Sequence, residues 1–154
     1  MSKITPVLWF DGQAEEAANF YVTLLPNSRV DKVGRSPADT PSGPEGSVIT
    51  ADFTLAGQHF QALNGGPEFK FNESVSFRID CDDQAEVDRL WAALIADGGE
   101  ESVCGWLKDK YGLSWQITPE RLLELMRGPK AGKVMEAFMK MRKFDIAKLE
   151  KAAA

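Results

Sequence analysis

His59 is the single histidine of the chain, two residues ahead of Gln61 in a stretch where polar and apolar side chains alternate. Imidazole changes charge nearest neutral pH, so His59 could act as a general base; a hydrogen-bonded structural role is the plainer alternative. Cys104 is a candidate nucleophile if the fold brings Lys108 or Lys110 close enough to favour its thiolate, and otherwise an inert, half-buried thiol. Asp52 and Arg78 could fix a charged or polar ligand, or pair with each other at a sheet surface. Trp9 and Trp106 could form aromatic walls for a planar ligand, or serve as dimer or core contacts, whereas Trp91 and Trp115 belong by phase to the core.

These residues need elements to position them. Ile4 to Phe10 is a short run of β-formers with Pro6 near its start, ended by Asp11-Gly12. Asp11 is expected to cap a helix with Glu15 and Glu16 in its first turn and Ala14, Ala17, Ala18, Tyr21 and Leu25 on its buried stripe. A strand over 28–35 follows. Next comes a segment over 36–46 with three prolines and two glycines, read as a loop or as a lid over a cleft. Ile49 to Leu55 alternates with period two, and Gly57 turns the chain into a strand over 59–63.

The same plan starts again after Asn72. Ser74 to Ile79 alternates, Asp83 and Glu86 have capping-box spacing, and Val87, Leu90, Trp91, Leu94 and Ile95 form an amphipathic stripe that Gly98-Gly99 ends. A strand over 101–108, interrupted near Gly105, and another over 113–118 precede a helix opened by Thr118-Pro119. After Gly128-Pro129 a helical stretch in two pieces spans about 130–150. Each half reads strand, helix, then strands, and each carries Gly followed four residues later by Gln, at Gly57 and Gln61 and at Gly112 and Gln116. Duplication of a βαβββ unit is the economical reading.

If helices cover one sheet face, the alternation sends Thr5, Trp9, Asp52, His59, Gln61, Ser74, Arg78 and Gln116 to the other. Two such polar faces turned toward each other would enclose a cavity for a small molecule. Plain solvent exposure of the polar face is the alternative.

The chain has 154 residues and 44% apolar composition, enough for one domain with a real core. Its net charge of −5 supplies no global basic field for nucleic acid. Residues 1–126 carry 10 basic and 20 acidic side chains and residues 127–154 carry 8 and 3, so a basic tail follows an acidic body. That tail reads as packed helix with a solvated lysine face, ahead of an RNA or anionic-lipid contact. Two cysteines outside any C-x-x-C pair, no run of 18 apolar residues and no leader segment point to a cytoplasmic protein without a membrane partner.

Three stretches carry a family likeness: Trp9 to Ala17 with Phe20-Tyr21, Ala62 to Pro67 with Phe71-Asn72-Glu73, and Cys104 to Gly112 with Ser114-Trp115-Gln116. In these the chain resembles the PhnB-like branch of the vicinal oxygen chelate superfamily, the glyoxalase/bleomycin-resistance fold, over residues 4–126. The resemblance implies an α+β fold of two βαβββ modules, about 3–66 and 72–119, forming a U-shaped cleft, with residues 127–154 as a basic helical extension. A homodimer is expected, since modules of this superfamily are often exchanged between chains.

Metalloenzymes of the superfamily hold a divalent ion with two side chains from each module, at positions that fall on Thr5, Gln61, Ser74 and Gln116. These offer only neutral hydroxyls and amides, weak donors for a divalent cation, so no metal and no other cofactor is expected. Members often bear the name of a 3-demethylubiquinone methyltransferase, but the Gly-rich strand-to-helix turn of a Rossmann-type S-adenosylmethionine site is absent from the sequence. The expected function is binding of a small organic molecule, with Trp9 and Trp106 stacking on it. The alternatives are a metal-independent enzyme in which Gln61 and Gln116 polarise substrate oxygens while His59 moves a proton, and a metal-dependent lyase or dioxygenase.

Overall fold

The computed structural model describes residues 2–154, which divide into two compact units, residues 2–70 and 71–154. The first runs β1 (Val7–Phe10), α1 (Ala14–Tyr21), β2 (Arg29–Arg35), β3 (Val48–Leu55) and β4 (Gln58–Asn64), with sheet order β1-β4-β3-β2. β1 pairs parallel with β4 and the other neighbours are antiparallel. The second repeats the plan with β5 (Ser76–Cys81), α2 (Gln84–Ile95), β6 (Glu100–Glu101), β7 (Trp106–Lys108) and β8 (Ser114–Pro119), ordered β5-β8-β7-β6. Helices α3 (Glu120–Leu125), α4 (Ala131–Phe138) and α5 (Ile146–Ala152) complete it.

The core of the first unit follows from alternation. Ala51, Phe53 and Leu55 of β3 and Phe60 and Ala62 of β4 are buried beneath α1, whose Ala14, Ala17 and Ala18 keep the helix backbone close to the sheet. Phe53 and Phe60 are cross-strand partners with rings stacked 5.2 Å apart, and Tyr21 covers Phe53 at 5.9 Å. Side chains one step out of phase, Asp52, His59 and Gln61, are thereby sent to the opposite face.

Two sequence expectations fail at α1. Asp11 does not cap it: the helix begins at Ala14 after Gln13, without a capping side chain at that position. Asn64, fifty residues on, accepts the Ala14 N–H at 2.8 Å and donates to the Val48 carbonyl at 3.0 Å. The helix also stops at Tyr21, so Leu24 enters the core in place of Leu25.

In the second unit Asp83 caps α2 by accepting the Glu86 N–H at 2.9 Å, while Glu86 accepts from Asp82 at 2.8 Å. Val87, Leu90, Trp91 and Leu94 are buried, each stabilising by about 1.5–3 kcal/mol. Leu122, Val134, Phe144 and Leu149 form a separate cluster that gathers α3, α4 and α5. It is tied to the sheet where the Cys104 and Gly105 amides donate to Met141 and Arg142 carbonyls at 2.8 Å. Segment 101–108 is two strands, because Cys104 and Gly105 both adopt positive φ and fold β6 back against β7.

Ser74 lies outside β5, correcting its expected place on that strand. Asn72 Oδ1 accepts both the Ser74 amide and hydroxyl in an Asx-type turn, which holds Ser74 and the exposed Val75 off the ladder. Thr5 likewise precedes β1; Pro6 contributes its carbonyl to Gln61 N–H and regular pairing starts at Val7. The segment over 36–46 is a loop closed on itself, with Ser36 buried, a Thr40–Gly43 bridge and Glu45 N–H bound to Asp39.

Candidate functional site

The hairpin between β3 and β4 turns through Ala56 (φ 49°) and Gly57 (φ 81°), a pair of left-handed residues whose twist matches the strands. That turn puts Thr54 directly opposite His59 and Asp52 opposite Gln61. On the neighbouring strand the register slips between Val30 and Lys32, leaving Asp31 as the extra residue of a bulge, a device that re-aims one side chain. Asp31 Oδ2 accepts the Thr54 hydroxyl at 2.7 Å, and Oδ1 meets Arg29 Nε at 2.8 Å.

The Thr54 hydroxyl has one proton, and Asp31 takes it. His59 Nδ1, 3.1 Å from the same oxygen, must therefore donate, so in the neutral ring the proton sits on Nδ1 and Nε2 is an acceptor. His59 Nδ1 also lies 3.8 Å from Asp31, and the ring is 45% exposed. Gln61 Nε2 donates to Asp52 Oδ1 at 2.9 Å; a carboxylate cannot donate, so the amide oxygen faces away from that bond. Thr5, Asp31, Asp52, His59 and Gln61 line one groove of about 400 Å³, with Val7 supplying apolar wall; the Phe60 ring, out of phase with His59 and Gln61, lies on the other face of the sheet. Four of these, Thr5, Asp52, His59 and Gln61, are sequence-expected site residues brought together.

The second unit repeats part of this pattern. Gln116 stands opposite Arg78 on β5 as Gln61 stands opposite Val7 on β1, so the counterpart of Thr5 is Ser76, not Ser74. Gln116 Nε2 donates to Ser76 Oγ at 2.9 Å. Trp106, half-buried, takes the place beside Gln116 that Asp52 holds beside Gln61. Ser114, two residues from Gln116, is buried with a hydroxyl that has no hydrogen-bond partner among the described residues. Arg78 pairs with Asp80 at 2.7 Å, two residues along its own strand.

The remaining candidates have other engagements. Trp9 donates from Nε1 to the Gly66 carbonyl at 2.9 Å and packs edge-on to Phe69; a Cβ on Gly65 would lie 2.4 Å from its indole, so glycine is required there. Lys108 pairs with Glu73, holding that carboxyl below its usual range and raising its own ammonium value, and Lys110 lies 5.5 Å over the Tyr111 ring. Cys104 is half-buried at the β6–β7 bend. Burial pushes the Cys81 thiol up to about 12, which makes it unreactive.

Sequence reasoning assigned no chemistry to Asp31, Thr54, Asn64 or Asp109. Buried Asp109 accepts the amides of Tyr111 and Leu113 and the Trp115 indole N–H, at 2.9, 3.1 and 2.9 Å, and so builds the turn ahead of β8. Thr54 had a usable signal in the Ala56-Gly57 hairpin; the bulge that brings in Asp31 had none.

The family model described as 3-demethylubiquinone-9 3-methyltransferase matches residues 2–118. The chain belongs to this family. A PhnB protein from Bacillus cereus that carries the same methyltransferase description is 38% identical, over 77% of this chain and 99% of that one, with a TM-score of 0.69. Protein PA1353 from Pseudomonas aeruginosa, 21% identical over 77% and 98% of the two chains with a TM-score of 0.63, shares the fold. A comparison with curated proteins finds no match. Two βαβββ units of this strand order make the PhnB-like chain an α+β protein of two four-stranded sheets with helices. The family match ends before α3, so helices α3 to α5 lie beyond it.

Neither group that the family and fold names imply fits these residues. Thr5, Gln61, Ser76 and Gln116, the matched positions of the two units, offer only neutral hydroxyl and amide oxygens, weak donors for a divalent cation. No group of three or more His, Cys, Asp or Glu able to hold an ion occurs among the described residues. For S-adenosylmethionine, both sheets are mixed, and the turn entering α2 presents Asp82 and Asp83 where a Rossmann unit needs glycines.

Proposed function

We propose that this PhnB-like protein binds a small organic molecule at the polar face of its module sheets and does so without a catalytic metal. The observation that carries this reading is the groove in the first unit where His59, held by Thr54 and Asp31, and Gln61, held by Asp52, present preset polar atoms beside Val7. A few fixed polar groups on an apolar wall are what a small-molecule site requires. Gln116, Ser76, Arg78 and Trp106 offer related chemistry on the second unit, and Trp9 and Trp106 supply aromatic surface.

The second reading, a metal-independent enzyme, is favoured by the same relay. An imidazole oriented through Nδ1 leaves Nε2 able to take a proton from bound substrate, with Gln61 polarising an oxygen beside it. In either reading the protein is a cytoplasmic homodimer. Two free cysteines suit a reducing compartment, and no helix among the described residues is long and apolar enough to cross a membrane. Exposed Ile4 and Val7 beside the β1 edge support self-association.

Thermal denaturation across a metabolite library, in chelator, tests the proposal. It expects at least one organic compound to raise the midpoint, with the rise lost in His59→Ala and Gln61→Ala. Stabilisation by divalent cations alone, or hits indifferent to both substitutions, would contradict it.

A further inference from the structure

We propose that the groove of the first unit is a receptor for a small organic ammonium ion, an inference that rests on the small-molecule reading above and names the ligand's charge. The groove is lined by two carboxylates, Asp31 and Asp52, and by no Lys or Arg. Arg29 offsets Asp31 at 2.8 Å. Among the described residues Asp52 has no such partner: its bond is to the neutral Gln61 amide, and Lys32, opposite it in register, makes no ion pair there and does not line the groove. Among the described residues one negative charge is left there without a cation.

The neutral atoms point the same way. The Thr54 bond leaves His59 Nε2 an acceptor, and the Asp52 bond leaves the Gln61 amide oxygen an acceptor. Together with the Asp52 carboxylate these make three acceptor groups, against the three N–H donors of a primary ammonium. A carboxylate or phosphate ligand would bring more acceptors and a like charge, an arrangement that excludes wrong partners. Val7, half exposed, provides apolar surface for a hydrocarbon portion. The 10 basic and 20 acidic residues of positions 1–126 add a long-range field of the same sign.

The single histidine gives one set of ring signals in an NMR spectrum, which makes it a clean reporter. Full-length protein is titrated near neutral pH with three probes of related skeleton: 2-phenylethylamine, 2-phenylethanol and phenylacetate. The expected result is a saturable shift of the His59 ring with the amine, at least about tenfold weaker with the alcohol and absent with phenylacetate. Asp52→Asn, which keeps an oxygen for Gln61, is expected to weaken the amine by about tenfold while the His59 signal still reports a folded chain. Equal or tighter binding of the alcohol or phenylacetate, or amine binding untouched by Asp52→Asn, overturns the ammonium assignment alone. No saturable shift with any probe overturns both it and the small-molecule reading beneath it.

Discussion

The Thr54 hydroxyl lies 3.1 Å from Nδ1 of His59, directly across the β3–β4 ladder, and gives its own proton to Asp31 at 2.7 Å. Thr54 is 2% exposed, so the hydroxyl that joins the relay is covered, while Asp31 and the imidazole open onto the groove. Thr54→Val keeps the shape and removes the link. The expected cost is about 1–2 kcal/mol of stability, read from denaturant midpoints, together with loss of ligand-dependent stabilisation. Unchanged ligand response in this variant would detach Thr54 from the site.

Asn64 joins the start of α1 to β4. Asn64→Ala strands the Ala14 N–H and the Val48 carbonyl at once, and is expected to destabilise the chain by about 2–3 kcal/mol with an unchanged denaturant slope. Asp11→Ala, at the residue the sequence favoured as cap, is expected to stay within about 0.5 kcal/mol of the parent.

Gly105 has φ 79°, and a Cβ there would come within 2.3 Å of the Phe144 ring. Gly105→Ala is expected to cost about 2–3 kcal/mol through backbone strain and collision. Phe144→Ala removes a buried ring at about 3–5 kcal/mol. The double variant is expected to cost less than the sum, because the second change removes the collision that the first creates. Additive costs would show that the ring and the bend are independent.

The two thiols are expected to differ. Cys81 is 0% exposed and its thiol is raised to about 12, so a disulfide reagent should modify one thiol of the native chain, and none in Cys104→Ser until it unfolds. A raised folded value means the native state holds this proton more tightly than the unfolded one. The Cys81 contribution to stability is therefore complete below about 9 and is lost as pH rises toward about 12.

Much of this was legible in the chain because one-sided burial imposes period two. Phe53 and Phe60 had to face α1, and Asp52, His59 and Gln61 were thereby placed together without any knowledge of contacts. Repetition of Gly57 and Gln61 in Gly112 and Gln116 exposed the duplication for the same reason. Register at strand ends was not legible: the Ser74-Val75-Ser76 alternation looks continuous, yet the Asn72 turn ends the strand at Ser76. Contacts that cross the sequence were silent too. Asn64 reads locally as a turn residue and Asp31 as ordinary strand polarity, and only the closed ladder and its bulge give them partners.

The site stands or falls on the state of one ring, and nitrogen-15 chemical shifts of His59 at a pH where the ring is neutral measure it. The expected spectrum has the proton on Nδ1 and a bare Nε2, reverting toward the opposite tautomer in Thr54→Val. A wild-type ring protonated on Nε2 would mean that Thr54 donates to the imidazole instead of to Asp31, and the preset acceptor would be gone.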